Sequence, residues 1–96
     1  MLLKRILRDA MLGVHMNLDD RAFLQRIGFR VRERRLAQNL TQAALAGACG
    51  LHRTFVGSVE RGERNAAVLS LRKIARALRT TPAELLADGA DPAGRA

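Results

Sequence analysis

Few side chains in this sequence can do chemistry, and their spacing narrows what that chemistry is. Nucleophilic catalysis needs a Ser or Cys within reach of a base, and no Ser/His/Asp or Cys/His constellation is present; nor is a phosphate-cradling Gly-rich loop or a carboxylate cluster. Cys49 is the single cysteine, so it cannot form an intramolecular disulfide, and its spacing puts it on an inner helix face. His15 and His52 stand apart, without metal-ligand spacing. The expectation is therefore no enzyme, no cofactor and no metal. What remains is a short polar run, His52, Arg53, Thr54, Gly57 and Ser58, whose guanidinium and hydroxyls can hydrogen-bond to base edges or phosphates, with a glycine that permits close approach.

The charge balance bears on the same chemistry. The 96 residues carry a formal net charge of +8 with a sequence pI of about 11.6, which suits a polyanion such as nucleic acid or an anionic membrane surface. Arg26 to Arg79 hold 12 basic and 3 acidic residues, net +9, and the rest of the chain is net −1, so the excess belongs to the folded part. A merely solvated, Arg-rich surface is the alternative. Phe23, Phe29 and Phe55 are the only aromatics, too few for the stacking platforms of RNA or single-strand binders.

These side chains must be positioned by helices. Leu24, Ile27 and Val31 form one inner stripe, on a helix expected to start with an acidic cap at Asp19 or Asp20 and to run to Asn39; four residues further on, the stripe lands on Arg35. Thr41 can cap a second helix from Gln42 to about Cys49, with Leu45, Ala46 and Cys49 apolar. Gly50 suits the left-handed residue that ends a helix sharply, and Leu51 can plug the angle that follows. A third helix, from His52 or Arg53 to Arg61, turns Phe55, Val56 and Val59 inward and leaves the polar run outside. Gly62 stops it, and Glu63 to Ala67 is a loop. A fourth helix from Leu69 to Arg79 shows Leu71, Ile74, Ala75 and Leu78 at 3.6-residue spacing. Thr81-Pro-Ala-Glu84 reads as a capping box opening a short fifth helix to Ala87. The fold class is all-α with five helices. The expected division is 1–18 as an N-terminal arm or leader, 19–87 as the domain and 88–96 as a flexible tail.

Met1 to Val14 is amphipathic, and Lys4, Arg5, Arg8 and Asp9 interrupt it, so it is neither a signal h-region nor a membrane span; a cytoplasmic location is expected. It can be a membrane-surface helix, an arm packing on a partner subunit, or a leader before a start at Met16.

A helix, a Gly-centred turn and a second short helix can belong to any bundle, but the wedge of Leu45, Leu51, Val56 and Val59 about small Ala46 favours a reader of double-stranded DNA. The run Leu40-Thr-Gln-Ala-Ala-Leu-Ala-Gly-Ala-Cys-Gly-Leu-His-Arg-Thr-Phe-Val-Gly-Ser-Val-Glu-Arg-Gly-Glu-Arg-Asn65 resembles the lambdoid phage repressor/Cro class of helix-turn-helix proteins, the xenobiotic-response-element family. From His52 to Asn65 it is especially similar to restriction–modification controller proteins. The resemblance spans about Ile27 to Leu86; Cys49 stands where the family usually has Ala, and Ala66 where Pro is frequent. It implies a compact repressor-like domain acting as a dimeric, sequence-specific transcriptional regulator on a pseudo-palindromic operator. The DNA-facing set it implies is Thr41, Gln42, His52, Arg53, Thr54, Gly57, Ser58, Arg61, Arg64 and Asn65. In that set Gln42 holds a phosphate and fixes register, and Arg53 presents its fork to guanine or, alternatively, to another phosphate. Thr54 and Ser58 bond base edges or phosphates, and Arg61, Arg64 and Asn65 hold the backbone, with Arg64 also able to enter a minor groove.

Two lone charges on facing inner stripes, Arg35 and Glu60, are costly unless paired, and the resemblance implies that they form a structural ion pair. The rival reading is a protein-interaction module, chiefly an antitoxin that binds DNA secondarily, supported by the N-terminal stretch alone. No sensory domain is visible, so no small-molecule effector is expected. The resemblance also implies homodimerisation near the C-terminal helix, here the helix that starts at Thr81 with the tail after it, where Leu85 and Leu86 offer apolar surface.

Overall fold

Asn17 opens the first helix. In the computed structural model, which describes residues 17–87, the Asn17 Oδ1 accepts from the Asp20 amide at 2.8 Å and the Asp20 carboxylate accepts from the Asn17 amide at 3.4 Å. This reciprocal box puts the cap of α1 (Leu18–Ala37) at Asn17, two residues before the earlier of the two expected acidic caps, and Asp20 serves as the third residue of the box and not as the cap. The helix also ends short of Asn39, which takes φ +58°, a left-handed turn that its short polar side chain tolerates. Gln38 then donates to the Leu78 carbonyl at 2.6 Å, fastening this end to the far end of the fourth helix.

Four more helices follow: α2 (Gln42–Cys49), α3 (Arg53–Glu60), α4 (Val68–Ala77) and α5 (Pro82–Leu86), with no strand among the described residues. Ile27 and Val31 of α1, Leu45, Ala46 and Cys49 of α2, Val56 and Val59 of α3, and Leu71, Ile74 and Ala75 of α4 meet in one core with Leu78 and Leu85. These are the stripes that the periodicity predicts. Leu24, Leu51 and Phe55 pack on its margin, only partly buried. The α4 helix stops at Ala77 and not at Arg79, because Arg79 takes φ +59° and the Thr80 amide turns back to the Ala75 carbonyl.

One close approach has no periodic signature. A Cβ on Gly28 would lie 2.4 Å from the Val59 carbonyl oxygen and 2.5 Å from that of Glu60, so α1 and α3 cross backbone to backbone at this glycine. The crossing fixes α3 against the longest helix of the molecule.

At α5, Thr81 Oγ1 accepts from the Glu84 amide at 3.2 Å as expected, but the Glu84 carboxylate does not close the box. It accepts instead from Arg34 at 2.8 Å and from the Thr80 hydroxyl at 3.3 Å. Arg30 donates to the carbonyls of Leu85 and Ala87 at 3.1 and 2.5 Å, giving the free carbonyl end of this short helix a cationic cap. Leu85 is 0% exposed and belongs to the core, which corrects its expected place on a dimer surface. The bulky apolar side chains left most open on α4 are Val68, 80% exposed, and Leu69, 66% exposed. Of the arm expected at 1–18, Asn17 and Leu18 instead open α1; residues 1–16 and the tail expected at 88–96 lie outside the described residues. Among the described residues no helix is long and apolar enough to cross a membrane.

Candidate nucleic-acid interface

The interface is built outward from the turn between α2 and α3. Thr41 Oγ1 accepts from the Ala44 amide at 2.9 Å, leaving other first-turn amides of α2 open to an anion. At the other end Gly50 takes φ +71° and ψ +31°, and the Leu51 amide donates to the Ala46 carbonyl at 2.9 Å. The chain turns across Gly50, Leu51 and His52, and α3 begins at Arg53 with His52 as its cap residue, the imidazole making no capping bond.

Arg53 and Thr54 stand exposed at the head of α3, with His52 exposed beside them, and among the described residues no hydrogen bond or ion pair occupies their side chains. A guanidinium left unpaired at a helix head is available to a base edge or a phosphate. One residue expected on this face turns inward. Ser58 is only 7% exposed; its hydroxyl donates to the Phe55 carbonyl at 2.7 Å and accepts from Arg64 Nε at 3.5 Å. Its hydroxyl is thus committed within the protein, which corrects its expected place among the outward readers. Gly57 stays on this face but is covered there by the side-chain ends of Gln42 and Arg61.

The cations after α3 differ in how they are held. Arg61 Nε lies 3.0 Å from the Glu63 carboxylate in an exposed pair, so part of its charge is answered within the chain. Arg64 is stacked over the Phe55 ring, 5.2 Å from guanidinium carbon to centroid. Stacking on a ring fixed at the core margin restricts the long side chain before any ligand arrives. Asn65 is exposed in the loop. The Phe55 platform is invisible to periodicity, because it depends on where a loop residue folds back; the one available signal is an aromatic on α3 followed nine residues later by an arginine.

Beneath this face lies the ion pair. Arg35 Nε and Nη2 grip the two Glu60 oxygens at 2.6 and 3.0 Å, and Arg35 Nη1 donates to the Leu40 carbonyl at 2.8 Å. Both side chains are nearly fully buried. The Glu60 hydrogen bonds push the Arg35 pKa up, burial opposes this, and attraction to Glu60 adds to the rise. Glu60 Oε1 also accepts from Gln42 Nε2 at 3.1 Å, linking the pair to the first residue of α2, a connection that spacing alone does not reveal. Across α2, burial pushes the Cys49 thiol pKa up, partly countered by Lys73, and its Sγ donates to the Lys73 carbonyl. That is a core cysteine and not a nucleophile.

Residues 31–85 match a family model described as Helix-turn-helix. The chain is 50% identical over 56 residues to Control protein C.SmaI of Serratia marcescens, covering 58% of this chain and 67% of that protein. It is 43% identical over 60 residues to Control protein C.BamHI of Bacillus amyloliquefaciens, covering 62% and 74%. Among solved structures, the restriction-modification controller protein C.AhdI from Aeromonas hydrophila is similar at 47% identity with a TM-score of 0.65, over 67% of this chain and 97% of that one.

Proposed function

This chain belongs to the helix-turn-helix family of DNA-binding transcriptional regulators, and from that membership we propose that it acts as a restriction–modification controller, bound as a homodimer to a pseudo-palindromic operator. The observation that carries the reading is the exposed, unpaired Arg53–Thr54 head of α3, projected by the Gly50 turn. A major groove accepts a helix of this size, and the arginine fork matches guanine O6 and N7. Arg61, Arg64 and Asn65 and the open amides at the start of α2 supply backbone contacts on either side. Similarity to control proteins supports the controller role.

Dimerisation uses the exposed Val68–Leu69 pair at the head of α4, which follows directly on the loop bearing Arg64 and Asn65. Two adjacent apolar side chains left this open on a basic chain gain by burial against a second copy. The test is selection of bound sites from a random double-stranded pool, followed by footprinting. Enrichment of an imperfect palindrome is expected; retention of DNA without any consensus would overturn the proposal.

A further inference from the structure

Gly57 is the one residue on the central turn of α3 without a side chain, and its place is taken from outside the helix. A Cβ there would lie 3.3 Å from Gln42 Oε1 and 3.2 Å from Arg61 Nη1, so the ends of these two side chains lie across it. We propose that the middle of the reading surface is a composite, in which the Gln42 carboxamide, laid over Gly57, reads an adenine. This rests on the reading of α3 as the DNA-facing helix.

The orientation of the amide decides what it can recognise. Glu60 holds both oxygens against the Arg35 guanidinium and is therefore an ionised acceptor, so only the nitrogen end of Gln42 can face it, as the 3.1 Å bond from Nε2 to Glu60 Oε1 requires. One N–H is spent on that bond. The carbonyl Oε1 and the second N–H remain, side by side, as an acceptor and a donor. A phosphate offers acceptors only; it can use the N–H but repels the carbonyl. An adenine in the major groove offers the N6 donor beside the N7 acceptor, which match both. Any side chain on residue 57 would displace this group, so glycine there is what lets α2 contribute to the reading surface. Glu60 acts through Gln42 and is a positioning residue.

The experiment is selection from a random double-stranded pool with the full-length wild type, Gln42→Ala and Gly57→Ala. Alanine at 57 meets the flexible ends of Gln42 and Arg61 and no backbone, so it moves the amide without removing it. The expected result is an adenine in each wild-type half-site whose preference falls roughly tenfold with Gln42→Ala and also weakens with Gly57→Ala, at the same base pair. An unchanged consensus with uniformly weaker binding for Gln42→Ala would make it a phosphate contact and overturn the inference, while the helix-turn-helix reading stands. Relaxation at different base pairs in the two variants would overturn the composite surface. A wild type without any consensus would overturn both readings.

Discussion

A buried carboxylate has few ways to be satisfied, and Glu60 uses several at once: two contacts from Arg35 and one from Gln42. The net worth of such a pair against an apolar core is small, because desolvation of both charges offsets their attraction, but removing one member strands the other. Arg35→Met or Glu60→Leu alone should therefore lose about 3–5 kcal/mol, and the double replacement much less. Chemical denaturation of the three variants checks this; single variants as stable as the wild type would mean that the charge left behind reaches water. At the surface the argument reverses. Among the described residues Arg53 has no partner, so Arg53→Ala should leave the melting curve in place while costing about 1–3 kcal/mol of binding and relaxing one base pair per half-site. A consensus identical to that of the wild type would remove Arg53 from the readers.

Among the elements, the crossing of α1 and α3 depends on Gly28, where both nearest atoms are backbone oxygens that cannot rotate away. Alanine gains about 1 kcal/mol of helix propensity but must push the helices apart, at a cost of about 1–3 kcal/mol or more. Gly28→Ala should therefore destabilise and, by shifting α3, weaken DNA binding. Gly47 is the contrast: it is exposed in α2 with nothing within 4 Å of a Cβ, so Gly47→Ala should stabilise by about 0.5–1 kcal/mol. Thermal melts separate the two, and equal shifts would refute the crossing argument. The same pair of glycines shows how far sequence carries. Stripes such as Leu71, Ile74, Ala75 and Leu78 follow from one helix's own period and are legible, as is the Gly50 turn. Gly28 looks no different from Gly47 in sequence, because its constraint comes from a helix some thirty residues away. Ser58 illustrates the same limit: it falls on the outer arc of an isolated α3, but Arg64 folds back over it from the loop. An acidic cap at Asp19 or Asp20 falls two or three residues late because Asn17 and Asp20 share the capping box, and spacing alone does not say which residue leads.

At the scale of the whole molecule, one recognition helix reaches too few base pairs to single out a site among the ~10⁶ or more competing positions of a genome. Two copies related by a two-fold axis place their α3 helices about 34 Å apart, one turn of DNA, so half-site centres should lie about 10–11 base pairs apart. The contact proposed to set this spacing is Val68 and Leu69, which are exposed where Leu85 is buried in the core. Leu69→Glu puts a charge against its symmetry mate and should move the dimer to monomer without lowering the melting temperature of the isolated fold, because Leu69 touches water and not the core. Sedimentation reads the first effect and calorimetry the second. On DNA, a wild-type dimer would double the contribution of Arg53, Arg61 and Arg64, so about six cationic contacts should give a slope of log K against log salt of roughly −5. The Leu69→Glu monomer should show about half that slope and a footprint confined to one half-site. A wild type that sediments as a monomer on a single asymmetric half-site with a shallow slope would refute the dimer, and a Leu69→Glu protein that still dimerises would move the contact to another face.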